Sequence, residues 1–528
     1  MINNQTVCLN GSDLTIEDIV AIGIGEKKVS LNSDSIERCR ASRAFLESRV
    51  KAKHIIYGVN TSFGPMCNKI IDDNKLLELQ VNLIRSHAAG LGDPIKYYIA
   101  LGALAIRLNC LVKGYSGVRI SLLEHMKDMI NHGIAPYIPE CGSVGASGDL
   151  VHLSHLALAV IGEGQVYYKK QLNDASTIFS SLGMRPVKLS YKEGLALING
   201  TSVMTSIAAF TVFSTKKLLN IACVTSAFAV EIMRGMNDAF DQDLAHLKPH
   251  PGQIAISQII QKLNKDSQNL RQRENIHRQI RNQASPGVVF ETSMNVQDVY
   301  SIRCVPQILA PVMESLEYTR KTVECEANSS NDNPIIVPEK EKIIHGGNFH
   351  GQSIAYAMDV LSISVSEICN LSERRVNKLL DISLNEGLPE HLISENVGLT
   401  MGFMGAQYLA TSSTAENRQL SNPVSIQSIS CNASNQDVVS MGTIAARKAF
   451  KMVSNAKHVI TVEVLADLQA LSFRNSKTMG KALSKIYAIL SGHFSVYDNK
   501  RIFYDDLKKF RKLLFTSPLF DDLSVYWT

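Results

Sequence analysis

The chain has 528 residues, 45% of them apolar and 20% charged, a balance that excludes a disordered or strongly solvating polypeptide. The net charge of +5, from 54 basic and 49 acidic residues, is too small and unclustered for a nucleic-acid or membrane-surface protein of this size. Its ten cysteines run from Cys8 to Cys431 without a C-x-x-C pair, which excludes a disulfide scaffold or a zinc ribbon and fits reduced thiols in a cytoplasmic protein.

In chain order, the start Met1-Ile2-Asn3-Asn4-Gln5 has no basic region and no apolar core of a secretory signal. The first third is turn-rich and mixed, with Tyr57-Gly58-Val59-Asn60 and Cys141-Gly142-Ser143-Val144-Gly145. A long helix is expected after Asn199-Gly200-Thr201, with Thr201 as N-cap. It runs through Met204, Ile207, Phe210, Leu218, Ile221 and Val224 and is apolar almost all round, so it belongs inside a bundle. The polar stretch from Arg271 through Arg278 and Arg281 to Pro286-Gly287 reads as a solvated helix or mobile loop, with an active-site lid as the sharper alternative.

After Gly351, apolar residues at Ile354, Met358, Leu361, Val365, Ile368, Val376 and Leu379 mark a second long helix, interrupted only by Ser372. About 30 residues at ~1.5 Å each give a rod of roughly 45 Å. A third helical pattern covers Val459 to Leu471, and Lys508 to Lys512 belong to an amphipathic surface helix. No apolar run reaches the ~18 residues of a membrane span, and no Pro-rich or Gly/Ser-rich linker divides the chain. The expected fold class is mostly α, a long-helix bundle (residues 201–528) behind a mixed N-terminal domain (residues 1–200).

The most informative segment is Gly142-Ser143-Val144-Gly145-Ala146-Ser147-Gly148-Asp149-Leu150. It lacks the lysine of a phosphate loop. A serine-hydrolase elbow centred on Ser147 would need glycine where Asp149 stands. A third reading uses the main chain. In Ala146-Ser147-Gly148 the glycine nitrogen can attack the alanine carbonyl if the backbone is compressed, and a Cβ would obstruct that approach. Loss of two waters, one from the serine side chain, gives 4-methylidene-imidazol-5-one, an electrophile made from the chain itself with no dissociable cofactor.

The sequence resembles the aromatic amino-acid ammonia-lyases, a family that includes histidine, phenylalanine and tyrosine ammonia-lyases and related aminomutases. The resemblance is carried by Tyr57-Gly58-Val59-Asn60-Thr61, Ser86-His87, Gly142 to Leu150 and Glu193 to Thr201. It continues through Tyr300-Ser301-Ile302-Arg303-Cys304, Asn331-Asp332-Asn333-Pro334, Gly346-Gly347-Asn348-Phe349-His350 and Asn435-Gln436-Asp437. In matching order these cover roughly residues 15 to 475.

The resemblance implies a fumarase/aspartase-like bundle and β-elimination of ammonia from an aromatic α-amino acid. It also implies a homotetramer whose active sites draw on several subunits. Ala146, Ser147 and Gly148 would form the electrophile, and Tyr57 matches the base that takes the β-proton. A working phenolate needs help, which helix N-termini aimed at the site are expected to give. Arg303 matches the fork that clamps the substrate carboxylate. Tyr300 and Asn199 match residues that position the ammonium end and polarise the ring, Gln297 matches another site amide, and Phe349 an aromatic pocket wall.

Ser86-His87 matches histidine ammonia-lyases, and Glu416 in Thr414-Ala415-Glu416-Asn417 matches the acid that meets an imidazole. L-histidine to urocanate is therefore the first expectation. L-tyrosine to p-coumarate is the alternative, because Gly64-Pro65-Met66, Asn331 to Pro334 and Asn435 to Val438 are similar to the tyrosine or phenylalanine branch. A 2,3-aminomutase shares the same electrophile and base, whereas a non-catalytic bundle would not need the intact tripeptide. Ser62 stands where the family usually has Gly, and His152 where many members have Pro. The pair His152 and His155 has no evident third ligand, so no metal is expected, nor is nucleic acid or membrane a partner.

Overall fold

The computed structural model describes residues 6–526 except 284–286, 288, 293 and 294. The expectations placed on Met1 to Gln5 and on Pro286 fall outside the described residues. The fold is mostly helical, and the chain divides into two compact units. The first comprises Met1–Phe213, Tyr318–Val360 and Pro423–Phe450; the second comprises Ser214–Glu317, Leu361–Asn422 and Lys451–Thr528. Four of the five unit boundaries fall inside helices (Ser202–Ile232, Val305–Ala327, Gln352–Leu380 and Gly442–Ser472) and one in the loop after Leu420.

The long helices form where the 3.6-residue periodicity places them: Ser202–Ile232, Gln352–Leu380 and Gly442–Ser472. Every stripe residue from Ile354 to Leu379 named above is buried, and Ser372, which breaks the stripe, is buried too. Ser202–Ile232 and Gln352–Leu380 are long and apolar enough to cross a membrane, contrary to the sequence count, but 78% and 72% of their apolar windows are buried inside the protein. They are core helices. Arg273–Gln283 is a solvated helix with only Ile276 buried, and Phe503–Thr516 buries Phe510 and Leu514 from an otherwise polar face.

The mixed character of the first unit comes from small sheets. Thr6–Leu9 pairs in parallel with Lys28–Leu31, and Ala135–Pro136, Gln165–Tyr168 and Gln171–Asp174 form an antiparallel triplet. Ile335–Val337 and Lys342–Ile344 make a hairpin. Below them Leu46, Ile56, Val59 and Ile336 form an apolar cluster. Burial of Ile56 and Val59 anchors the turn between them and so sets the position of Tyr57.

Thr201 holds the N-cap position of the Ser202–Ile232 helix, its carbonyl accepting from Thr205 N–H at 3.0 Å, but its side chain does not bond to the first turn. Its hydroxyl donates to Glu326 and accepts from Asn331 Nδ2 at 2.8 Å. The free N–H groups of the first turn go instead to Asp149, whose Oδ2 accepts from Val203 and Met204 at 2.9 Å each. A carboxylate at a helix N-terminus satisfies both the orphan donors and the helix dipole.

Candidate active site

Asp149 thereby ties the tripeptide loop to the helix start. Its Oδ1 also accepts from Thr443 Oγ1 at 2.5 Å, and burial pushes its carboxyl up to about 6, although these hydrogen bonds pull the other way. The adjoining backbone is tight. Asp149 N–H donates to Gly200 O at 2.7 Å, Gly200 N–H to Ser147 O at 3.1 Å and Gly148 N–H to Gly145 O at 3.3 Å. Ser147 has φ +46° and Gly148 φ +78°, a left-handed pair in which the serine carries strain. A Cβ on Gly148 would lie 2.0 Å from Gly200 O. This crowding, and a glycine that no other residue could replace, fit the compression that ring closure in Ala146-Ser147-Gly148 demands.

The Tyr57 loop is held by its own side chains. Asn60 Oδ1 accepts from Ile56 N and Nδ2 donates to His54 O, both at 2.8 Å, while Gly58 N–H donates to Thr61 Oγ1 at 3.0 Å. Gln80 links this loop to the Glu193–Ile198 helix, donating to Gly58 O and accepting from Leu195 N, both at 3.1 Å. His345 Nε2 accepts from Tyr57 N–H at 3.3 Å.

Burial raises the Tyr57 phenol above its ordinary value, and the Gly64 N–H, donating to Oη at 3.0 Å, opposes this. The N-terminus of Ser202–Ile232 is already engaged by Asp149.

Tyr57, Ser86, His87, Ala146, Ser147, Asn199 and Phe349 line one cavity of about 580 Å³ within the first unit. Gly148, the residue after Ser147, is not among its lining residues. His87 closes the Leu76–His87 helix, and its Nδ1 contacts Leu83 O at 2.9 Å and Ser86 Oγ at 3.1 Å. A neutral ring donating from Nδ1 to Leu83 O keeps Nε2 as an acceptor.

The remaining expected residues belong to the second unit. Gln297 and Arg303 line a separate cavity of about 250 Å³ with Asp238, Arg273 and Gln307. Arg303 Nε donates to Asp298 O at 2.8 Å, and its guanidinium stacks 4.8 Å from the ring centroid of Tyr300, which is 68% exposed. Glu416, on the Met404–Leu420 helix, accepts from Asn455 Nδ2 at 2.9 Å and lies 3.7 Å from Lys451. It does not line the cavity of His87.

Sequence reasoning missed part of the cavity wall: Cys67, Asn82, Asn432 and, known only as motif letters, Gln436 and Asp437. Asn432, Ala433 and Ser434 have φ of +52°, +51° and +61°, a left-handed turn that carries no glycine to announce it. Cys431 and Gln436 close this turn through paired backbone hydrogen bonds. His152 Nε2 contacts Glu140 O at 3.2 Å, and His155 Nε2 accepts from Gly90 N–H at 3.0 Å. Among the described residues no group of three or more His, Cys, Asp or Glu side chains is placed to hold a metal ion.

The family model for aromatic amino acid lyase matches residues 14–491. A histidine ammonia-lyase of Treponema denticola is 40% identical over 505 residues, 96% of each chain. A tyrosine aminomutase of Streptomyces globisporus superposes with a TM-score of 0.94 at 35% identity over 98% of both chains. A histidine ammonia-lyase of Trypanosoma cruzi superposes with a TM-score of 0.88 at 34% identity over 99% of this chain and 96% of the other. A match of this extent, on a chain whose glycine-compressed tripeptide and Tyr57 share one cavity, leaves one conclusion: the chain belongs to the aromatic amino acid lyase family.

Proposed function

We propose that this enzyme converts L-histidine into urocanate and ammonia by non-oxidative β-elimination. The observation that carries the reading is the convergence of Tyr57, His87 and Ser147 on one cavity. The identity with curated histidine ammonia-lyases along almost the whole chain supports it. Ala146-Ser147-Gly148 would supply 4-methylidene-imidazol-5-one, whose electrophilic alkene makes the amino group a better leaving group.

The chain's own residues do the rest. Tyr57 Oη, as the phenolate, takes the β-proton and becomes the phenol, and the Gly64 N–H that donates to Oη favours the phenolate from which the step starts. The substrate ammonium adds a nearby positive charge that favours the ionised phenol. His87 Nε2 accepts from the ring N–H, Phe349 packs against the ring, and Arg303 grips the carboxylate with two parallel donors. We further infer a cytoplasmic homotetramer in which Gln297, Tyr300, Arg303 and Glu416 reach the tripeptide of another copy of the chain.

A second reading, L-tyrosine as substrate of a lyase or a 2,3-aminomutase, is favoured by a specific feature. Besides His87, the cavity wall is rich in amides (Asn82, Asn432, Asn435 and Gln436), with Asp437 its single carboxylate. Neutral amides suit a phenol hydroxyl better than an imidazolium. Separate incubations with histidine, tyrosine and phenylalanine decide between the readings. Urocanate formed faster than coumarate or cinnamate supports the first; coumarate or a β-tyrosine supports the second; no product from any of them refutes both.

A further inference from the structure

Within the first unit, the segment that enters the Gly442–Ser472 helix packs on the tripeptide loop. Met441 N–H donates to Val144 O at 3.0 Å, and a Cβ on Gly145 would lie 2.2 Å from Ser440 Oγ. Thr443 and Ser143 are both buried, and their hydroxyl oxygens lie 3.0 Å apart. Ser143 Oγ has two further partners, one on each side of Ala146 and Ser147. It accepts from Gly145 N–H at 3.2 Å and lies 3.3 Å from Gly148 O. Ser143 and Gly148 are five residues apart in sequence, a step that can extend about 17 Å. Here one hydroxyl reaches both ends of the turn.

Thr443 gives its own proton to Asp149 Oδ1 at 2.5 Å, so the Ser143 proton is shared between Thr443 Oγ1 and Gly148 O. Asp149 is in turn locked on the start of the Ser202–Ile232 helix. The brace across the turn is therefore anchored to a rigid element. Ring closure asks for such a brace, because holding two reacting groups together removes a large part of the barrier to joining them. Gly148 N bonds to the Ala146 carbonyl carbon as its proton passes to the carbonyl oxygen. That oxygen leaves as water with the Ser147 N–H proton, and the Ser147 hydroxyl leaves as a second water with the Cα proton. No oxidant or reductant enters. Neither Ser143 nor Thr443 contributes an atom to these steps.

We propose that Ser143 and Thr443 are positioning residues for formation of the electrophile: their linked hydroxyls hold Gly145 and Gly148 in the compact turn from which the ring closes. The proposal rests on the reading that Ala146-Ser147-Gly148 becomes 4-methylidene-imidazol-5-one, and adds the two side chains that set the rate of that change. The test follows maturation rather than turnover. Each full-length chain is made in a short pulse of cell-free translation, and its intact mass is read over time.

If the wild type never falls two waters below its sequence mass, the electrophile reading fails and this one with it. With that deficit established, Thr443→Val keeps the side-chain shape and removes the hydroxyl. It should lose the two waters about tenfold more slowly, the worth of one or two buried hydrogen bonds, and Ser143→Ala should be at least as slow. Thr443→Ser, which restores the hydroxyl alone, should return the rate to within about twofold of the wild type. Wild-type rates in Thr443→Val and Ser143→Ala overturn the proposal. So does a Thr443→Ser chain as slow as Thr443→Val, because the threonine methyl and not its hydroxyl would then be the cause. Should Thr443→Val fail to fold by circular dichroism, Ser143→Ala and Thr443→Ser read the same contrast.

Discussion

Asp467 offers a test of how this bundle tolerates an ionisable group with no role. It is fully buried on the Gly442–Ser472 helix, and among the described residues neither carboxylate oxygen has a hydrogen-bond partner. One turn away Glu463 accepts from Arg375, which also donates to Ser226 Oγ at 2.9 Å and Thr225 Oγ1 at 3.1 Å. The local cation is therefore already committed. Burial first, then the charge of Glu463, drives the Asp467 carboxyl well above its ordinary value, with Arg375 opposing.

Consider Asp467→Ala. Removing an unsatisfied buried polar group recovers about 1–3 kcal/mol. The void left by two or three heavy atoms costs about 1 kcal/mol. At acid pH the variant is therefore between neutral and about 2 kcal/mol more stable. Because the folded pKa lies above the unfolded value, the unfolded chain releases its proton first as pH rises past ~4, and wild-type stability falls by up to ~1.4 kcal/mol per pH unit until the folded carboxyl also ionises. Alanine has no such slope, so its advantage must widen with pH. Apparent melting temperatures of both proteins from about pH 5 to pH 9 measure it, at roughly 1–2 °C per kcal/mol for a chain of this size. A constant difference across pH, or an alanine variant destabilised throughout, would refute the reasoning.

Ser147→Ala should show the full sequence mass where the wild type lies two waters below it, and turnover should fall roughly 10³-fold or more; intact mass spectrometry and a product assay check both. Gly148→Ala forces a Cβ to 2.0 Å from Gly200 O at a left-handed φ, so it should also keep the full mass and lose about 1–3 kcal/mol of stability by thermal melting. Tyr57→Phe should retain the mass deficit yet lose about 10²–10⁴-fold in kcat, because only proton transfer is removed. His87→Phe should shift the ratio of kcat/KM values toward phenylalanine by about tenfold or more, read from parallel assays on three amino acids; an unchanged ranking would remove His87 as the ring's partner.

The helices were legible because burial writes itself into sequence with a period of 3.6, and Ile354 to Leu379 is a clean instance. The tripeptide loop was legible because Gly142, Gly145 and Gly148 permit a backbone that few other residues allow. What stayed hidden depends on long-range pairing. Thr201 holds the N-cap position its sequence place predicts, yet the side chain that bonds to the first turn is that of Asp149, far upstream. The turn at Asn432 to Ser434 adopts left-handed φ without glycine, so its strain is imposed by surroundings that no local pattern records. Ser372 was visible as a break in a stripe, but only the structure shows that the break is buried.

Among the described residues, Asn199 and Asp467 are two whose buried side-chain oxygens have no partner, and their settings differ. Asn199 Oδ1 belongs to a residue that lines the cavity, and its amide nitrogen is tied down by two oxygens. Asp467 lies among helices, lines no cavity described above, and its neighbours are arranged to serve Glu463 instead. In the second setting the unpaired group is a cost carried by the core, which deletion should relieve. Asp467→Ala should therefore leave the stabilisation given by a bound substrate analogue unchanged.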